Sequence, residues 1–524
     1  MDSLNPQNKT EKILYCAALV LAEFYLLPCV FRHMINTETW IDAQQWYALI
    51  LSLAALVWWI AVKCPQLRQE EERRQFLQCF GSYEQVYVVC VFFWYIVSVA
   101  LRQYTVGGTH FRDNDLWMFI TGLVAFLFFP LARYAGKEKA KRTIETLVHT
   151  LVIPFAVFSV WLIWQYFNRN FVCFPSGRRL EVEPPAILMY TGVNHVSIGR
   201  QAMVMLGLSL YMVVTQKPWL KILYSLCLAS FFVFLILTNV RTSWYMTAAM
   251  LTCAAFFFCW NRLENRKLLH RIAVGIVLAA AVALCCHLLR DGVFRFLEKA
   301  WTAEGGTAEI TAPADMGAAP KRSARLEQAL AYGPTDSSRQ PAKLQTLAKE
   351  SPADEAEAES SYKRTVSDNL FSFRERIALY RASIFVMFTS RYRFLFGVTP
   401  SDVNATLAGI YGLSRTYGYG HAHNFFLQMG VAFGVPTMIA TIIFAVSLLV
   451  RSIRIMFINR RKVFSGAWMI CLLTLTFLGA DMFESGLNAS PDFFCPAFYL
   501  FAGWLVSLDV DTRAPKKNGK HAGF

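Results

Sequence analysis

His423 and Asn424 open the run HNFFLQMGVAFGVPT, at the mouth of a long apolar segment. An imidazole that is neutral near pH 7 can take a proton from a hydroxyl as that hydroxyl attacks. His421, two residues earlier, competes for the same work. In an extended segment the two rings point the same way, and on a helix they diverge. Arginines recur at comparable places along the chain. Arg241 stands between two apolar runs in ILTNVRTSWYM, and Arg290 ends another in CCHLLRDG, with Asp291 beside it. Arg200 starts a third apolar run, and Arg374, Arg376 and Arg381 are interleaved in an amphipathic stretch. Guanidinium forks match phosphate oxygens and stay charged at any working pH. A base for an incoming hydroxyl and cations for a departing diphosphate suffice for group transfer without a metal. Each residue also has a plainer reading. An interfacial histidine bonds to backbone, a rim arginine snorkels to lipid phosphates, Arg290 pairs with Asp291, and Arg376 and Arg381 form a solvated face.

These residues must be positioned by apolar elements. The chain has 524 residues, 55% of them hydrophobic, with 43 Phe and 14 Trp. Its apolar residues gather in runs of about 20, the length that crosses ~30 Å of hydrocarbon. Twelve spans are expected, at 13–31, 44–62, 85–102, 117–132, 146–167, 199–215, 222–240, 242–260, 272–289, 426–450, 463–481 and 494–508. The fold class is therefore an all-α polytopic membrane protein. The first span carries Glu23 and lacks a small-residue cleavage site, so it reads as a retained helix. The 13 Cys are scattered, without CxxC pairs or metal-ligand spacing, and read as small apolar residues.

The net charge of +15 points either to an anionic partner or to cytoplasmic anchoring. Its distribution decides. Segments 1–12, 63–84, 133–145, 216–221, 261–271, 451–462 and 509–524 hold several times more Lys and Arg than the short connections between them. The positive-inside rule then places both termini in the cytoplasm, and no nucleic-acid partner is required. Residues 1–289 carry spans one to nine, 290–425 form a large outer loop between spans nine and ten, 426–508 carry the last three spans, and 509–524 are a cytoplasmic tail. Within the loop, 303–360 is rich in Ala, Glu, Pro, Ser and Thr and reads as a flexible insert. Residues 366–396 place Ile377, Tyr380, Ile384, Met387 and Phe388 at helical spacing. They read as one or two amphipathic helices on the outer membrane surface, with Asp368 as N-cap.

The pattern His423-Asn424, nine residues, Gly434, two residues, Thr437 resembles the signature of the O-antigen ligase family. The stretch RERIALYRASIFVMFTSRYRFLFGV is similar to that family's Arg-bearing helix and following turn. LTNVRTSWYM is similar to its Arg-centred turn, with Val240-Arg241-Thr242 where the family often has Ser-Arg-Gly. The resemblance implies a GT-C-like bundle and a donor glycan on undecaprenyl diphosphate. It implies that His423 is the catalytic base and that Arg241, Arg290 and Arg376 hold the diphosphate. Asn424, Arg381 and Arg200 take supporting places.

The leading expectation is a metal-independent glycan transferase, without cofactor, at the outer face of the bacterial inner membrane. It would move glycan to a lipid A-core hydroxyl. A polysaccharide polymerase using a second lipid-linked glycan, and a protein O-oligosaccharyltransferase, differ from it only in acceptor. A lipid-linked glycan flippase would want ionisable groups deep within spans, whereas these lie at the rim.

Overall fold

The computed structural model describes residues 82–107, 136–167, 195–238, 240–263, 265–303, 371–411, 422–459, 465–482 and 494–513, strands within 172–190, and scattered positions before residue 75 and from 115 to 129. From residue 82 onward the described helices are α1 (Tyr83–Ala100), α2 (Arg102–Thr105), α3 (Gly136–Phe167), α4 (His195–Thr215), α5 (Pro218–Thr238), α6 (Arg241–Arg262), α7 (Leu268–Ala303), α8 (Phe371–Phe388), α9 (Arg391–Phe396), α10 (Val403–Tyr411), α11 (Phe425–Phe433), α12 (Val435–Ile458), α13 (Gly466–Asp481) and α14 (Phe494–Arg513).

Among the described residues, seven helical stretches are long and apolar enough to cross a membrane: Tyr83–Ala100, Val148–Gln165, Ile198–Thr215, Pro218–Thr238, Arg241–Trp260, Leu268–Val293 and Val435–Ile458. They correspond to the third and the fifth to tenth expected spans. The eleventh and twelfth are shorter apolar helices, Gly466–Asp481 and Phe494–Leu508. The first, second and fourth expected spans fall largely outside the described residues, as do His421, Asp368 and the 303–360 insert.

Three features differ from the expected layout. A small antiparallel sheet, β1 (Val172–Cys173), β2 (Arg179–Glu183) and β3 (Ile187–Tyr190), lies in the expected outer loop 168–198. Val172 pairs with Leu180, and Leu180 in turn with Tyr190. The alternation Arg-Leu-Glu-Val-Glu has the period of a strand. Second, α7 runs on to Ala303, so Arg290 lies inside a helix rather than at its end. The segment after it, VFRFLEKAWTA, contains no proline and no further glycine to stop it. Third, the expected span 426–450 is two helices, because the chain turns a corner at Gly434 between α11 and α12.

The chain forms two compact units, one of 1–92, 117–306 and 442–524, the other of 93–116 and 307–441. In the first, α4 is the most buried candidate span, 78% of it inside the protein. Gly207 permits this, since a Cβ there would strike the Leu473 side chain of α13. Small residues allow such close approach between membrane helices. Ser209, Thr247 and Thr474 are buried and each returns its hydroxyl to a carbonyl four residues back, at 2.8 Å. No polar atom of theirs is thereby left unpaired in an apolar setting. Phe155 of α3 packs against Phe231 and Phe234 of α5, centroids 5.5 and 6.2 Å apart. Glu84, fully buried, accepts from Arg451 Nε at 2.6 Å and ties α1 to α12.

Candidate active site

In the second unit the backbone around His423 is unusual. His423 has φ of +49°. Only a few per cent of non-glycine residues take this region, and the conformation persists where neighbouring contacts hold it. Three contacts do so here. The Tyr380 hydroxyl of α8 donates to the His423 carbonyl at 3.1 Å. The Ala422 amide donates to Gln428 Oε1 at 2.8 Å. Asn424 caps α11, its side-chain oxygen accepting from the Leu427 amide at 3.0 Å. A cap of this kind satisfies one of the donors that every helix start leaves open. Asn424 therefore fixes the helix that follows His423, and His423, half-buried, stands immediately before that helix.

The far end of α11 is fixed as firmly. Gly434 caps it with φ of +92°, and Gly397 caps α9 with φ of +70°. The two corners lie back to back. A Cβ on Gly397 would strike the Ala432 and Phe433 backbone, and one on Gly434 would strike Leu395. The Val398 and Thr399 amides donate to the Val431 and Ala432 carbonyls at 2.8 and 3.0 Å. From α1, Trp94 Nε1 donates to the Phe433 carbonyl at 2.9 Å, and Ser98 Oγ to the Phe396 carbonyl at 2.8 Å. The nine residues between Asn424 and Gly434 are thus one short helix with a cap at each end.

Beyond the corner, Arg102 is fully buried and bonds Asp115 Oδ2 and Asp402 Oδ1, both at 2.6 Å. Asp402 also accepts from Thr399 Oγ1 at 2.9 Å, and Ser401 Oγ donates to Asp115. Thr399, a β-branched residue at φ +71°, is held by this cluster. Arg393 Nε donates to the Thr105 carbonyl at 2.6 Å, and burial pulls the Arg393 pKa down. None of these contacts was expected from the sequence. Arg102 reads there as the last residue of a span, and its two carboxylates lie 13 and 300 residues away. Gln428 gave the better signal, as the one amide in an apolar run, four residues after Asn424.

The described part of the expected stretch 366–396 is α8 followed by α9, with Ser390 capping α9. The face of α8 that carries Tyr380 also carries Arg376, one turn earlier. Arg376 is half-buried, while Arg381 is exposed and lies about 140° around the helix from it. Nothing is described of the Arg374 side chain.

In the first unit, Arg241 is the opening residue of α6 and is half-buried. A guanidinium at a helix N-terminus adds to the positive end of the macrodipole. Gly199 of α4 lies against the Val240 side chain, just before it. Arg290 Nη1 lies 3.7 Å from Asp291, as the neighbouring sequence suggests. Arg200 is buried, 3.6 Å from Asp481 and stacked 5.0 Å above the Phe494 ring.

Residues 226–442 match the family model described as O-antigen ligase. Arg241, Arg290, Arg376, Arg381, His423 and Asn424 fall inside that match, and Arg200 falls outside it. No curated protein matches the chain. The doubly capped helix of the signature and the Arg241 start of α6 both lie within residues 226–442, and this part of the chain, less than half of it, is similar to the O-antigen ligase domain.

Proposed function

We propose that the protein transfers a glycan from undecaprenyl diphosphate to an acceptor hydroxyl, with His423 as the base. The acceptor oxygen attacks the anomeric carbon, its proton passes to the imidazole, and the C–O bond to the diphosphate breaks with its electron pair leaving on phosphate oxygen. Arg241, Arg290 and Arg376 meet the charge that develops on the leaving group. Asn424 keeps the helix that follows the base in place, and Arg381 and Arg200 take supporting roles. No cofactor takes part in this scheme. The observation that carries the reading is the left-handed, hydrogen-bonded backbone of His423 within the matched family domain.

The preferred acceptor is a sugar of lipid A-core, and the reaction takes place at the outer face of the bacterial cytoplasmic membrane, with both termini inside. The distribution of Lys and Arg between alternate connections supports that orientation. The test is purified protein with undecaprenyl-diphosphate-linked glycan, with and without lipid A-core. Glycan appearing on lipid A-core supports ligation. Chain elongation in its absence makes the protein a polymerase, and no new glycosidic bond in either mixture leaves a flippase.

A further inference from the structure

We propose that Tyr380 is a positioning residue for the transfer, acting through the main chain of His423. The inference rests on the reading of His423 as the base. A histidine enters this region more readily than most side chains but still at a cost, so its neighbours decide that it stays at φ +49°. The Ala422 and Asn424 bonds pin the residues on either side. The Tyr380 hydroxyl bonds the residue itself, at its carbonyl. Without that bond the His423 backbone can relax toward ordinary angles, and its Cα, which carries the ring, is re-aimed away from the acceptor. Tyr380 also belongs to α8, where Arg376 lies one turn earlier on the same face. The bond therefore couples the setting of the base to the helix that carries a proposed diphosphate ligand. The imidazole keeps its proton chemistry, so the loss falls on the rate of the bound complex and not on substrate binding.

The test is full-length Tyr380→Phe, which removes one oxygen and keeps the ring. Ser383→Ala is the comparison, since Ser383 lies one turn further on, is buried, and donates only locally to the Leu379 carbonyl at 2.8 Å. The expected result is a kcat about tenfold lower for Tyr380→Phe, the yield of one hydrogen bond. KM for donor and acceptor and the thermal midpoint stay near wild type, and Ser383→Ala keeps wild-type kcat. An unchanged kcat in Tyr380→Phe overturns the proposal, as does a rise in KM alone. An equal fall in Ser383→Ala also overturns it, by marking general loosening of α8. His423→Ala separates the two levels. Full activity there removes the base assignment, and the present inference with it, whereas a dead His423→Ala beside a fully active Tyr380→Phe removes only this inference.

Discussion

At the scale of single residues, the base and its cap make different predictions. His423→Ala removes the proton acceptor without disturbing the cap, so transfer falls by roughly 10²–10⁴-fold while the protein remains folded. Initial rates on lipid-linked donor, with thermal melting as the fold control, check this. Asn424→Ala removes the cap bond to Leu427 and costs about 1 kcal/mol of local stability. Asn424→Ser and Asn424→Asp keep a capping oxygen and retain most activity. Were Asn424 instead oriented toward the imidazole, Ser would fail as badly as Ala. The arginines of α8 divide similarly. Arg376→Ala lowers kcat/KM for donor at least tenfold, and exposed Arg381→Ala stays within about twofold.

At the scale of elements, the corner between α11 and α12 and the cluster at Arg102 carry the strain. Arg102→Met leaves Asp115 and Asp402 buried without their cation. Removing one partner of a buried ion pair costs about 3–5 kcal/mol, so this substitution lowers the melting temperature far more than any change to the exposed face of α8. Much of this layer was legible from residue types. The seven membrane-length helices among the described residues and the histidine at the helix mouth follow from local spacing, whereas α8 buries Leu379, Ala382, Ser383, Val386 and Met387 and leaves Ile377, Ile384 and Phe388 of the expected apolar face exposed. The corner was not. Residues 425–458 are apolar almost throughout, and hydropathy gives a continuous span, whereas the break depends on which backbone Gly434 touches. The Arg102 cluster escaped for a related reason, since Asp402 meets it across 300 residues of chain. The Tyr380 bond was hidden too, because a tyrosine on an apolar helical face reads as packing until its hydroxyl is seen to reach a carbonyl.

For the molecule as a whole, composition points to a polytopic helical membrane protein, and the short strands within 172–190 add pairing that helical periodicity does not foretell. Diphosphate departure assisted by arginine needs no divalent ion. Chelation with EDTA should therefore leave the initial rate of purified protein unchanged, and lost activity restored by Mg²⁺ would call for a different leaving-group partner. The spacing between Asn424 and Gly434 has a further consequence. With both ends clamped, α11 works as a ruler of nine residues. One inserted residue would swing whatever precedes it by about 100° and shift it by about 1.5 Å. The length of that rod is thus constrained apart from its composition, where Gln428 is held by its bond to Ala422 and Gly430 by its contact with Met387.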